Sequence, residues 1–447
     1  MSKQIITLII ILLLIPSCNG LKPMKDQDPL FDVNFLGGKK KDKKEKEEVI
    51  DNKKTKFYNK EDTLKEELNV NLKINLTQKI IKNKKQELQN NDSQNNYDGS
   101  IEKLSKFKFK KISNFYQKEP NIIFNKSNIF FFDGNGSIIK FEDSSKLVWK
   151  KNYYSKAEKK SKPFLFFNKN KDTLIVADNI SKYYALDINN GKLLWMKNNS
   201  SPFNSQIKIY KDKFYIIDLE NVIHCYSLKN GKEIWKYKTE NFFIKSQKRL
   251  SVAIDNNKIY FNNSIGDITA LNSSNGDFAW QLPTQNSQIY GDSFLLKTSD
   301  LVINKNSIFF SNNKNEFYSV NKQNGTLNWK QKINSDLRPI LIGNTIFTLS
   351  IEGLFISVDS TNGNIIRAID VFKNLSEKKR SRIKPKHFIS GTKKIYLTID
   401  NGRLMIIDIK SGDLVQVIKI DNNPVSKPFI SNQKLYIIKN NSIIKFD

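Results

Sequence analysis

Residues 186–197 read LDINNGKLLWMK, and the same phrase returns along the chain. Its echoes are SLKNGKEIWKYK, LNSSNGDFAWQL, VNKQNGTLNWKQ, VDSTNGNIIRAI, IDIKSGDLVQVI and, more faintly, FEDSSKLVWKKN. The turn glycines are Gly191, Gly231, Gly276, Gly325, Gly363 and Gly412, separated by 40, 45, 49, 38 and 49 residues. Tryptophan follows four positions later at Trp195, Trp235, Trp280 and Trp329. Trp149 belongs to the degenerate first copy, where Ser145 replaces the glycine, and the last two copies carry Arg367 and Gln416 instead of tryptophan. An Asn-Gly pair supplies the positive φ angles of a tight type I′ hairpin, so each copy marks a turn between paired strands. One ligand site does not need so many copies. The tryptophan is therefore read as structural, packing between neighbouring repeats.

Around this phrase the chain from about residue 105 is a series of short apolar or alternating runs, such as DTLIVAD, KFYIID, KIYFNN and KIYLTI. Each is followed by a turn and a second run, then by the repeated phrase. No long helical pattern occurs there. A period of 40–50 residues with several strands per unit predicts an all-β, eight-bladed β-propeller of four-stranded blades. Seven blades result if the degenerate first copy forms none. The last unit, 426–447, ends before its fourth strand. The alternating KFKFKKI at 106–112 is expected to supply it, closing the ring and removing an open sheet edge.

The N-terminus differs. Lys3 precedes an apolar run from Ile5 to Ile15, too short to span a bilayer and suited to a secretory signal. The expected organisation is a signal over 1–17, a charged low-complexity tether over 18–104 and the propeller over 105–447. Within the tether, Leu64, Leu68, Leu72, Leu76 and Ile80 recur at helical spacing and suggest a marginal helix. The stretches around it, including QNNDSQNNYDGS, carry too little apolar surface to order themselves.

The formal net charge is +29. The excess is mostly Lys, spread over every segment of a Lys-, Asn- and Ile-rich chain, without Arg clusters interleaved with aromatics. It is read as compositional, and no nucleic-acid partner is expected. With two Cys and two His in the whole chain, neither a disulfide framework nor a His/Cys metal cluster is expected. His224 and Cys225 are adjacent on a strand, so they point to opposite faces and cannot form a dyad. DGNGSI at 133–138 is read as a hairpin turn rather than a calcium loop. No catalytic residue, cofactor or metal is assigned.

The IPSC ending of the apolar run resembles the bacterial lipoprotein signal, which implies lipidation of Cys18 and anchoring by several acyl chains, with about 0.8 kcal/mol per buried CH₂. Ile15 and Pro16 depart from the usual residues of that motif. The NGK-x-x-W repeat resembles the pyrroloquinoline-quinone type repeat. Eight such blades behind a lipoprotein signal resemble the BamB family of the outer-membrane β-barrel assembly machinery. That resemblance implies a non-enzymatic protein at the periplasmic face of the outer membrane. It would bind the POTRA domains of a BamA-type partner and assist nascent outer-membrane β-barrels. The contact loop of that family falls on NFFIKSQKRL at 241–250, which offers Phe243, Ile244 and Lys245 as partner-binding candidates. Asn19 after Cys18, where Asp is absent, agrees with outer-membrane sorting. A generic envelope propeller lipoprotein that binds another protein or polymer is the alternative, and the same repeat also builds quinoprotein dehydrogenases. The lone Cys225 and the absence of a C-x-x-C-H haem motif speak against that branch.

Overall fold

The computed structural model describes residues 74, 91, 95–113, 115, 119–239, 245–246, 248–284, 296–373 and 375–447. The signal segment, Cys18 and the candidate helix of the tether lie outside the described residues.

Among the described residues, thirty-two strands form eight four-stranded antiparallel sheets, each one propeller blade. Blade 2 shows the plan: Leu165–Lys169, Thr173–Asp178, Lys182–Asp187 and Leu193–Asn198 pair in that order. First strands of neighbouring blades touch, which makes them the inner wall of the ring. The middle strands are almost wholly apolar and buried between blades, whereas the last strand is largely exposed. Two short helices, Lys156–Lys160 and Glu377–Arg380, sit in connections between blades. No helix among the described residues is long and apolar enough to cross a membrane.

The count of eight includes the degenerate first copy, whose last strand, Leu147–Lys151, carries Trp149. Closure is made as the truncated last unit requires. Lys103–Lys108 pairs antiparallel with Ser442–Phe446 and completes blade 8. The paired segment lies slightly upstream of the alternating stretch at 106–112, because Phe107 is the residue that reaches the core. It is wholly buried and meets the Phe141 ring edge-on at 5.5 Å. Order extends further upstream than composition suggests. Tyr97 is buried against Tyr396, and the Tyr97 carbonyl accepts a hydrogen bond from the Thr392 amide at 2.8 Å. Asn91 donates to the Leu301 carbonyl at 2.9 Å and to the Val252 carbonyl at 3.2 Å. Polar residues can be fixed by hydrogen bonds to strand backbone, a contribution that apolar content does not register.

The repeated phrase has a different turn from the type I′ hairpin its Asn-Gly pair suggests. Only the glycine takes positive φ, +71° at Gly191. The Gly191 amide donates to the Asp187 carbonyl and the Asp187 amide to the Lys192 carbonyl, both at 2.9 Å, giving a four-residue loop. The Asp187 carboxylate accepts the Asn189 and Asn190 amides, and the Asn190 side chain accepts the Lys192 amide. Asparagine is therefore present as a side-chain acceptor rather than for its own backbone freedom. A register shift follows between Ala185 and Leu186 and recurs at the same step in the other blades that carry the phrase.

The tryptophans join each blade to the next. Indole N–H groups of Trp149, Trp195, Trp280 and Trp329 donate to Asn189, Leu228, Lys322 and Ser360 carbonyls at 2.9–3.1 Å. Trp235 does the same toward Ser273 at 3.4 Å. Each acceptor lies in the turn of the following blade. There the ring also lies against the turn glycine: a Cβ on Gly231 would stand 2.5 Å from the Trp195 ring. Glycine is needed twice, for its φ and for this close approach. In blade 6 Arg367 reaches the Ile409 and Lys410 carbonyls of blade 7, so a guanidinium replaces the indole donor at the same step.

Candidate functional site

The inner strands enclose an axial cavity of about 670 Å³. Among the described residues, seven Lys and Arg side chains and two carboxylates line it. The whole chain carries 74 basic and 45 acidic residues, so this excess exceeds the compositional one. Charged residues stand just before five of the inner strands. Glu119 precedes blade 1, Arg249 blade 4, Asp300 blade 5, Arg338 blade 6 and Lys427 blade 8. Three of these stand before proline, in Glu119-Pro120, Arg338-Pro339 and Lys427-Pro428. Proline disfavours helical backbone at the preceding residue and holds it extended. His387 joins them from the inner strand Pro385–Ser390 of blade 7.

The two acids are already paired. Arg338 Nε donates to Asp300 Oδ2 at 2.7 Å, and Arg249 Nη2 lies 3.3 Å from Glu119 Oε2 and 3.8 Å from Asp300 Oδ2. Burial alone would raise both carboxyls. Lys248 and Arg249 nevertheless hold Glu119 at about 2, and Arg338 and Arg249 hold Asp300 well below the usual carboxylate range. His387 is pushed down to about 4, first by burial and then by Lys427 and Lys248, although Glu119 and Asp336 pull the other way. Lys427 has no ion-pair partner among the described residues; its ammonium lies 5.2 Å from the Phe429 ring centroid. Burial, with Arg338 and Arg249, lowers it to about 7 against the pull of Asp300 and Glu119. Two polar atoms of this cluster have no partner among the described residues, Arg249 Nε and Asp300 Oδ1.

The depressed Lys427 has a measurable consequence. An amine that protonates near pH 7 when folded and near 10.4 when unfolded binds more protons in the unfolded chain between those values. Its contribution to stability therefore rises as pH rises from about 7 to 10. Lys427 is only half-buried, so cavity water screens part of the effect. Chemical denaturation at pH 7 and pH 9 is expected to show a smaller gain for Lys427→Gln than for the parent chain.

The residues singled out in the sequence fall elsewhere. Every Trp and Gly of the repeated phrase lies between blades, away from the axis. Phe243 and Ile244 lie outside the described residues; Lys245 is half-exposed and pairs with Glu220 at 2.8 Å. His224 is held between Asp218 and Glu233 at 3.0 and 2.9 Å, while Cys225 faces an apolar cluster with its thiol pushed up to about 12 by burial. The two side chains do diverge, and the thiol is buried. In DGNGSI, Asp133 Oδ1 accepts the Asn135 and Ser137 amides and Oδ2 pairs with Lys150, so the carboxylate closes a turn. The axial charges were missed because each lies in a different repeat. The charged-residue-then-proline pairs were the available signal.

The sequence profile of outer membrane protein assembly factor BamB matches residues 125–369, more than half of the chain. The chain belongs to the BamB family. Among solved structures, BamB from Moraxella catarrhalis superposes with a TM-score of 0.63 at 13% identity, covering 78% of this chain and 99% of that one. The computationally designed Ika8 protein gives 0.57 at 10% identity, over 76% and 99% of the two chains. Quinohemoprotein alcohol dehydrogenase from Comamonas testosteroni gives 0.58 at 10% identity, over 77% and 76%. At these identities the likeness is one of fold. A comparison with curated proteins found no match.

The dehydrogenase likeness raises the question of a quinone and its calcium ion. Calcium takes six to eight oxygen ligands, carboxylates prominent among them. Here both axial carboxylates are engaged by guanidinium groups, and no group of three or more His, Cys, Asp or Glu among the described residues could hold a metal. The axial residues do not fit that cofactor pair.

Proposed function

We propose that this protein is a non-catalytic scaffold of the outer-membrane β-barrel assembly machinery, held at the periplasmic face of the outer membrane by lipid on Cys18. The observation that carries the reading is membership of the BamB family over more than half of the chain. The axial chemistry supports it, since its carboxylates are committed to ion pairs rather than free to act as base or metal ligand.

One face docks on the POTRA domains of a BamA-type partner, with the loop of Phe243, Ile244 and Lys245 as the contact. The outer strands suit extended clients. Each ends its blade with a free edge, and Leu147, Leu194, Ile234, Phe278, Leu327 and Val415 are exposed along these strands. Backbone pairing at such an edge, with apolar side chains nearby, is the chemistry of β-augmentation.

Gentle extraction from membranes followed by affinity purification is expected to recover a BamA-type protein. Recovery of no assembly component would refute the reading. Cys18→Ser should release the chain from the membrane fraction, and Phe243→Asp should lower recovery of the partner at least tenfold while leaving thermal unfolding unchanged.

A further inference from the structure

We infer that the axial cavity binds a small phosphate-type anion between Lys427 and the Arg249–Asp300 pair. Three observations lead there. First, the lining is cationic well beyond the chain's own bias, and a closed ring concentrates that field. Second, Lys427 is a donor with three N–H bonds and no anionic partner within ion-pair distance among the described residues. Third, the two orphaned atoms specify what the anion must carry. Arg249 and Asp300 are 9% and 5% exposed, yet among the described residues Arg249 Nε has no acceptor and Asp300 Oδ1 no donor. Buried polar atoms without partners are uncommon and point to a missing species.

A fully ionised anion such as sulfate would satisfy Arg249 Nε but leave Asp300 Oδ1 facing another acceptor. Hydrogen phosphate, or a phosphomonoester retaining one proton, offers acceptor oxygens to Lys427 and Arg249 and a P–O–H donor to Asp300. Arg249 Nη2 and Asp300 Oδ2 stand 3.8 Å apart and Arg338 also holds Oδ2, which leaves Arg249 Nε and Asp300 Oδ1 as the atoms for the anion to meet. Lys427 makes no ion pair among the described residues, so it is available to a ligand.

The test uses the full chain in detergent, followed by thermal unfolding and calorimetric titration at constant ionic strength. The probes are inorganic phosphate, glycerol 3-phosphate and sulfate. Phosphate is expected to raise Tm by about 3 °C or more at saturation and to bind at least tenfold more tightly than sulfate. Glycerol 3-phosphate distinguishes the source: equal or tighter binding assigns an esterified phosphate, weaker binding the free ion. Lys427→Gln should weaken phosphate at least tenfold and raise Tm in its absence, by removing repulsion from Arg249 and Arg338. Lys236→Gln, on an exposed outer strand, should change neither. The inference is overturned if neither phosphate probe binds, if sulfate binds as well as phosphate, or if Lys427→Gln binds phosphate like the parent.

Discussion

A chain that begins at residue 109 is expected to lose cooperative folding, whereas one that begins at residue 95 keeps it. Residues 103–108 supply the fourth strand of blade 8 and tie the last blade to the first part of the chain by backbone pairing, beside side-chain contacts such as Phe124 on Tyr436 and Lys445 on Asp143. Their removal deletes Phe107, a fully buried ring packed on Phe141, whose loss alone costs about 3–5 kcal/mol. It also strips the backbone partners from Ser442–Phe446, leaving an apolar edge open to pairing with other chains. Single domains are stable by roughly 5–15 kcal/mol, so this one change consumes much of the total. The measurement is thermal unfolding with size-exclusion chromatography of the two truncations. The shorter should lose at least about 10 °C in Tm and elute partly as aggregate. Equal Tm values would mean that the ring is closed by contacts other than this strand.

The same segment shows where sequence reading succeeds and where it stops. Ring closure was legible because the final unit visibly lacks a strand and an alternating stretch stands upstream. The blade count was legible because glycine and tryptophan return at fixed steps, a signal that survives even in the degenerate copy around Trp149. The docking of Tyr97 and Asn91 was not legible. Their neighbourhood is Asn- and Gln-rich, and what fixes it is hydrogen bonding to strand backbone, which leaves no hydrophobic period. The axial charges were hidden for another reason. A ring gathers residues from separate repeats, so Glu119, Arg249, Asp300, Arg338 and Lys427 meet on the axis while standing far apart in sequence. Nothing in their spacing imitates a motif. Arg367 is the intermediate case: by residue type it breaks the repeat, and by the bond it makes it obeys it.

Arg367 also sharpens what the tryptophans are for, and the second large effect follows from it. Trp329→Ala is expected to cost about 3–5 kcal/mol, since the ring is 8% exposed, packs on Phe309 and Phe317, and donates to Ser360 of the next blade. Trp329→Arg should cost less than Trp329→Ala, because the guanidinium at the equivalent step of blade 6 already caps the equivalent carbonyls of blade 7. Gly363→Ala should cost about 1–3 kcal/mol in the parent chain: φ is +81° there, and the added Cβ would lie 2.6 Å from the Trp329 ring. In the Trp329→Ala background the steric part of that cost disappears and only the backbone part remains. Chemical denaturation of the two single variants and the double variant therefore forms a cycle, with an expected coupling of about 1 kcal/mol or more. Strict additivity would show that ring and glycine are neighbours without being a joint, and the recurring phrase would then need a reason other than the contact between blades.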